Sequence, residues 1–265
     1  MRAIAVKRGE SRPRDEEALV RTLRVGIDGT DHAVVAGSHG AFPENEEYQI
    51  LGHEAVGVVV DANGTDVPEG ELVVPTVRRP PGGESNEYFE RGEPDMAPDG
   101  HYVERGIVGA HGYMASFFTS APEFLVPVPR ELAETGFLIE PISNSEKAIE
   151  LAYAARSSFE WSPTTAFVLG NGPLGLLCLG LLEQHGIERI YCLGRRSRPD
   201  RTIDFIERFG ATYVDSRETP VDAVAEVYEP MDLVCEATGH AAHAFETIDA
   251  LAPNGVGVLL GIPSD

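Results

Sequence analysis

Residues 164–175 read TTAFVLGNGPLG. An apolar run ends at Leu169, a glycine-rich turn follows, and a helical apolar pattern starts at Pro173. The pattern G-x-G-x-x-G at Gly170–Gly175 therefore sits between a predicted strand and a predicted helix, the setting in which it cradles a dinucleotide. There Gly170 permits the tight turn, Gly172 lets the backbone approach a pyrophosphate, and Gly175 lets the helix pack closely on the strand. Asn171, Pro173 and Leu174 complete the cofactor-binding loop. The free N–H groups of the helix N-terminus add partial positive charge.

Downstream, strands and helices alternate. Helix PLGLLCLGLLEQHG closes at Gly186, and strand RIYCLG follows. Helix RTIDFIERFG, strand ATYVD, helix PVDAVAEVY, strand MDLVCEATG, helix AHAFETIDALA and strand GVGVLLG continue the series. This alternation predicts a doubly wound parallel sheet, an α/β Rossmann domain over residues 161–265. The second strand ends in GRRSRPD, where an NAD site would place an acid for the ribose hydroxyls. Arg195 and Arg196 instead suit a 2′-phosphate through charge-assisted hydrogen bonds, which favours NADP while leaving NAD possible. The alternative is that both arginines pair with neighbouring acids.

Upstream of Trp161 the chain reads as short strands broken by glycine and proline. RAIAV, EALVRTLRV, EAVGVVVDA, GELVVPT and EFLVPVP are β-rich, with turns at Asn63–Thr65 and Pro68–Gly70. Residues 78–105 are polar and nearly free of aliphatics, as expected of a surface loop or lobe. The segment GFLIEPISNSEKAIELAYAAR (136–156) reads as a short connection leading into a linking helix. Residues 1–160 are thus expected to form a β-rich first domain.

Bulk composition narrows the function. The 265 residues carry 43 acidic against 21 basic side chains, a net charge of −22, and only two lysines, Lys7 and Lys147. Such a surface repels a phosphate backbone, so nucleic acid is excluded as a partner. The acids are spread through apolar periodic segments, which points to a hydrated surface suited to a salt-rich cytoplasm, where screening limits self-repulsion. No run approaches the length of a membrane span, and the N-terminus lacks the apolar stretch of a signal peptide. Cys178, Cys192 and Cys235 are odd in number and embedded in apolar runs, so buried thiols in a reducing compartment are expected.

Two polar clusters in the first half raise the question of a metal. GIDGTDH (26–32) places Asp28 in a turn after a strand, and GHE (52–54) opens another apolar run. Asp28, His53 and Glu54 either form part of a metal site or are ordinary surface groups.

The order of the two halves, with GHEAVGVVV and IEP upstream of the nucleotide motif, resembles the zinc-dependent medium-chain dehydrogenases. Within them the resemblance is to the glucose dehydrogenase family of haloarchaea, carried by AIAVKRGE, GIDGTDH, LGHEAVGVVVD, VVPTVRRPP, ERGIVGAHGYM and FLIEPIS. It implies a GroES-like catalytic domain and a zinc ion held by Asp28, His53 and Glu140 plus water, an N/O set that zinc accepts. Glu54 is implied as a supporting or exchanging ligand and a catalytic residue. Thr30 is implied to contact the substrate and to relay its proton toward His32, which is otherwise an exposed turn histidine. Glu104 and Glu140 are implied to contact sugar hydroxyls. The reaction implied is hydride transfer from the anomeric carbon of an aldose, D-glucose in the nearest reading, to NADP. Another sugar or alcohol, or a non-catalytic NADP-binding fragment, are the alternatives.

The resemblance implies that residues 78–105 fall where many medium-chain relatives carry a four-cysteine zinc lobe; that segment has no cysteine, so a structural zinc is not expected. The resemblance also implies an additional hairpin strand near Ser11–Glu17, absent here. The chain ends at LLGIPSD, after the fifth Rossmann strand. The family's sixth strand and its homodimer or homotetramer edge would follow, so an incomplete Rossmann domain with unpaired ladder groups is expected.

Overall fold

A computed structural model describes residues 3–5 and 16–261. The Ser11–Glu17 comparison lies for the most part outside the described residues. The chain divides into two compact units, Met1–Glu140 and Pro141–Asp265.

In the first unit, strand β1 (Ala3–Ala5) is followed by β2 (Ala18–Val25), helix α1 (Gly29–Ala36), β3 (Tyr48–Ile50), β4 (Ala55–Asp61) and β5 (Leu72–Pro75). A small lobe of β6 (Arg78–Arg79), α2 (Glu87–Glu90), β7 (Val103–Arg105) and β8 (Gly109–Ala110) comes next, then β9 (Phe117–Ser120) and β10 (Leu125–Pro127). The main sheet is antiparallel in the order β10-β5-β4-β2-β9. Its alternating valines bury Val20, Val59 and Val73 on one face with Tyr113 and Phe118. Val56, Leu72 and Val74 lie in a second cluster. Gly57 is required where β4 crosses β2, because a Cβ there would lie 2.5 Å from Val20 Cγ1 and 2.8 Å from the Arg21 carbonyl.

The polar stretch 78–105 is folded as a lobe around two arginines. Arg78 and Arg79 form β6, which pairs with β7. Arg79 is buried, donates to the Thr76 carbonyl at 2.8 Å and to the Tyr113 hydroxyl at 3.1 Å, and stacks on Phe124 at 4.0 Å. Burial pushes its guanidinium pKa down.

The second unit opens with helix α3 (Ile139–Ala155, of which residue 141 onward belongs to it). It continues β11 (Thr165–Leu169), α4 (Pro173–Gln184), β12 (Arg189–Gly194), α5 (Arg201–Arg208), β13 (Thr212–Asp215), α6 (Val224–Val227), β14 (Met231–Glu236), α7 (Ala241–Ala250) and β15 (Leu251–Leu259). The division between units falls ahead of the composition change near Trp161 because Ile149 and Ala152 of α3 share a core with Cys178, Leu179 and Leu182 of α4. The sheet is parallel in the order β13-β12-β11-β14-β15, the doubly wound arrangement. Successive residues of β11 alternate between two cores: Ala166 and Val168 on one face, Phe167 and Leu169 on the other. A strand covered on both faces reads as a continuous apolar run, as TTAFVL does. All three cysteines are free and buried.

The expected helix through Ala252 ends at Ala250, and β15 starts immediately and is irregular near Met231/Leu233. β15 is an end strand of this sheet, and Phe245, Ile248 and Leu259 on α7 and β15 are exposed. Among the described residues, no helix is long and apolar enough to cross a membrane.

Candidate metal and dinucleotide sites

Asp28 does not sit in a simple turn. It is the N-cap of α1, accepting from Thr30 N at 2.8 Å and Asp31 N at 3.1 Å, while Asp31 returns a hydrogen bond to the Asp28 amide at 3.2 Å. This reciprocal capping fixes the carboxylate's direction. The Thr30 hydroxyl donates to Asp28 Oδ2 at 2.9 Å. Asp31, 3% exposed, also accepts from the Gly52 amide at 3.2 Å, which ties α1 to the segment carrying His53.

That segment is shaped by glycines. Gly52 has φ +86°, a left-handed conformation that favours glycine. Gly26 has no room for a side chain: a Cβ would fall 1.8 Å from Glu54 Oε2. Its amide donates to the Glu54 carbonyl at 2.8 Å, so β2 and β4 bring the Glu54 carboxyl against bare backbone.

His53 is buried, with Nε2 3.7 Å from Asp28 Oδ2 and Nδ1 3.9 Å from Asp31 Oδ1. Both distances are too long for hydrogen bonds, and Nδ1 is a buried atom without a hydrogen-bond partner. Imidazole and carboxylate atoms that face one another at ligand spacing without bonding one another fit a bound cation better than a closed polar network. Two sets satisfy that spacing, Asp28–Asp31–His53 and His53–Glu54–Glu140, each with its ligand atoms within 4.8 Å of one another. His53 is common to both; Asp28 lies in one and Glu140 in the other. The crowding of acids has an electrostatic signature: Glu54 is pushed up to about 7, by burial first and then by the charges of Asp28 and Asp31. The N/O donor set suits zinc.

Asp31 was not among the residues expected from the sequence, although an acid three positions after an N-cap Asp is a capping signature. His32 is exposed on α1, and its amide donates to the Asp28 carbonyl at 3.4 Å. Glu104 is half-buried on β7 and paired with Arg78, Nε to Oε1 at 3.1 Å. Two residues further on, Gly106 packs on Gly52, where a Cβ would lie 2.7 Å from the Gly52 carbonyl. Glu140 occupies the first turn of α3 and is half-buried.

In the second unit the glycine loop has the geometry of a phosphate cradle. Gly170 has φ +112°, and a Cβ on Gly175 would fall 2.0 Å from the Gly170 carbonyl, so α4 lies directly on the loop. Gly172 faces open space, with nothing within 4 Å of an added Cβ. It is the N-cap of α4, no side chain caps the helix, and Pro173 occupies its start. Leu174 is half-buried on the first turn. Asn171 packs against Gly194, and its buried Nδ2 has no hydrogen-bond partner. These open N–H groups, the bare Gly172 and the unpartnered amide fit a pyrophosphate.

The two arginines after β12 differ. Arg196 Nη1 pairs with Asp200 at 3.3 Å. Arg195 is exposed and makes no hydrogen bond or ion pair among the described residues. Arg217, held by Asp215 and donating to Ser197 Oγ at 2.8 Å, lies beside this turn.

Comparison with known proteins places both halves. The model of the glucose dehydrogenase C-terminus matches residues 133–265, and that of the alcohol dehydrogenase GroES-like domain matches residues 14–130. Glucose 1-dehydrogenase of Haloferax mediterranei is 65% identical over 277 residues, spanning 100% of this chain and 78% of the relative. Glucose 1-dehydrogenase 1 of Haloterrigena turkmenica is 62% identical, spanning 100% of this chain and 76% of the relative. The structure of Haloferax mediterranei glucose dehydrogenase in complex with NADP, Zn and gluconolactone superposes with a TM-score of 0.94 at 64% identity, covering 98% of this chain and 73% of that one.

Proposed function

The chain belongs to the glucose dehydrogenase family of the medium-chain dehydrogenases, and on that basis we propose that it oxidises D-glucose at C1, passing hydride to NADP and releasing gluconolactone and a proton. The observation that carries the reading is the buried His53 imidazole, unpartnered at Nδ1 and faced by Asp28 and Asp31, in a chain so similar to a protein solved with NADP, Zn and gluconolactone.

Asp28, His53 and Glu140 would hold the zinc. When bound, zinc supplies Lewis-acid polarisation of the sugar hydroxyl and NADP supplies the hydride acceptor. Asp31 holds the Asp28 and Gly52 amides and so keeps the metal-binding side chains in place. The Thr30 hydroxyl, which donates to Asp28, relays the proton of the C1 hydroxyl by accepting it as it releases its own toward the exposed His32, from which it passes to solvent. Glu54, protonatable near neutral pH, buffers charge beside His53. Glu104, fixed by Arg78, and Glu140 accept hydrogen bonds from the sugar hydroxyls. The Gly170–Gly175 loop takes the pyrophosphate and Arg195 the 2′-phosphate. The acid excess and the three buried thiols support a reducing, salt-rich cytoplasm as its setting.

Asp28→Asn tests the assignment, because asparagine retains an N-cap acceptor while removing the anionic ligand. Zinc content and glucose turnover should fall together with thermal stability little changed. Full turnover in a metal-free Asp28→Asn protein would contradict the mechanism.

A further inference from the structure

Glu236 ends β14 and is 2% exposed, yet it forms no ion pair among the described residues. An unpaired buried carboxylate is costly, and here hydrogen bonds alone offset that cost. Glu236 Oε1 accepts from the Thr238 amide at 2.6 Å and from the Thr238 hydroxyl, and Oε2 accepts from the Gly239 amide at 3.4 Å. The Thr238 oxygen in turn accepts from the His240 amide at 3.0 Å and contacts His243 Nδ1 at 3.0 Å. Since the hydroxyl's one proton goes to Glu236, Nδ1–H of His243 is the donor in that last contact.

The turn built this way is wedged between two glycines. A Cβ on Gly170 would lie 3.0 Å from Thr238 Cγ2 and 3.3 Å from the Ala237 carbonyl, and one on Gly261 would lie 2.2 Å from the Gly239 amide. The Ala237 amide also donates to the Leu169 carbonyl at 2.9 Å. The turn thus touches the first glycine of the dinucleotide loop directly.

Its place in the sheet says which part of the ligand it meets. The strand order reverses between β11 and β14, and dinucleotides bind across such a reversal at the carboxyl ends of the strands. The adenosine ribose is read at the end of β12 and the pyrophosphate at the start of α4, so the nicotinamide half extends over β14. We propose that Glu236 is a positioning residue that fixes the Ala237–His240 turn as the surface orienting the nicotinamide half of the dinucleotide. This rests on the reading of the second unit as an NADP site.

The test measures the affinity of the full chain at high salt for NADP and for 2′-phospho-ADP-ribose, which lacks the nicotinamide, in Glu236→Gln, Thr238→Val and Thr238→Ser. Glu236→Gln and Thr238→Val should bind NADP about tenfold more weakly and 2′-phospho-ADP-ribose as before, and Thr238→Ser should restore the wild-type value. If Glu236→Gln does not fold, Thr238→Val carries the same comparison. Equal weakening toward both ligands, unchanged NADP affinity, or failure of Thr238→Ser to restore it would overturn the positioning role alone. A wild-type chain that binds neither ligand would overturn the NADP reading and this role with it.

Discussion

Replacing Arg195 by alanine should convert a preference for NADP into near-indifference between NADP and NAD. Arg195 stands exposed just after β12 and makes no hydrogen bond or ion pair among the described residues, whereas the neighbouring Arg196 guanidinium is paired with Asp200 at 3.3 Å and Arg217 is held by Asp215. A hydrogen bond to a charged group contributes about 1.5–3 kcal/mol. Its loss corresponds to NADP binding weakened by about 10- to 150-fold. NAD has no 2′-phosphate, so its affinity should change by less than about twofold. Arg196 must give up an exposed ion pair worth about 0.2–1 kcal/mol before it contacts a ligand, so Arg196→Ala should have the smaller effect, about fivefold at most. Both effects should shrink as salt is raised, because the site is exposed. Calorimetric titration of wild type and the two variants with each nucleotide, at two concentrations of KCl, measures all of these quantities. Equal losses of NADP and NAD affinity in Arg195→Ala would refute the assignment of the 2′-phosphate to this residue.

Three further outcomes are expected. Glu54 is raised from 4.5 to about 7 in the folded chain, so metal-free stability is fullest while it is protonated and is lost as pH climbs through that range. The shift corresponds to at most about 3 kcal/mol, and screening by water that reaches the site reduces it to about 1–2 kcal/mol. In the presence of a chelator Glu54→Gln should therefore be stabilised over wild type at pH 8 but not at pH 5, as read by denaturant titration; the opposite pH dependence would contradict the buried-acid reading. Gly26→Ala should displace the Glu54 carboxyl, whose Oε2 lies 1.8 Å from the added carbon, and lower zinc content, which elemental analysis would reveal. Dialysis to dilute buffer should unfold the chain through repulsion among its net −22 charges, and an unchanged circular dichroism spectrum would count against that view.

The Rossmann half was the most legible part of the sequence because its strands are covered on both faces, so each registers as an unbroken apolar run followed by a glycine and a helix. Arg195 and Arg196 were equally visible as residue types, but only the structure shows that Arg196 is the one held by Asp200. GIDGTDH reads as a turn because the helix that starts within it, α1, is only eight residues long and is bordered by glycines. Its start is set by the reciprocal hydrogen bonds of Asp28 and Asp31, which also bring Asp31 to His53. The lobe at residues 78–105 has no periodicity to read, because its two- to four-residue elements are held by individual contacts of Arg78 and Arg79. Neither the burial of Glu54 nor the wedging of the Ala237–His240 turn has a local signature. Both depend on glycines distant in sequence, Gly26 in one case and Gly170 with Gly261 in the other.

Zinc-dependent oxidation of glucose by NADP is measured in the purified chain in concentrated KCl with zinc, D-glucose and NADP, following reduced nicotinamide by absorbance and the sugar product by chromatography. Gluconolactone and NADPH should form in equal amounts and cease when a chelator strips the metal. Binding of both zinc and NADP without any glucose-dependent NADPH formation would contradict it.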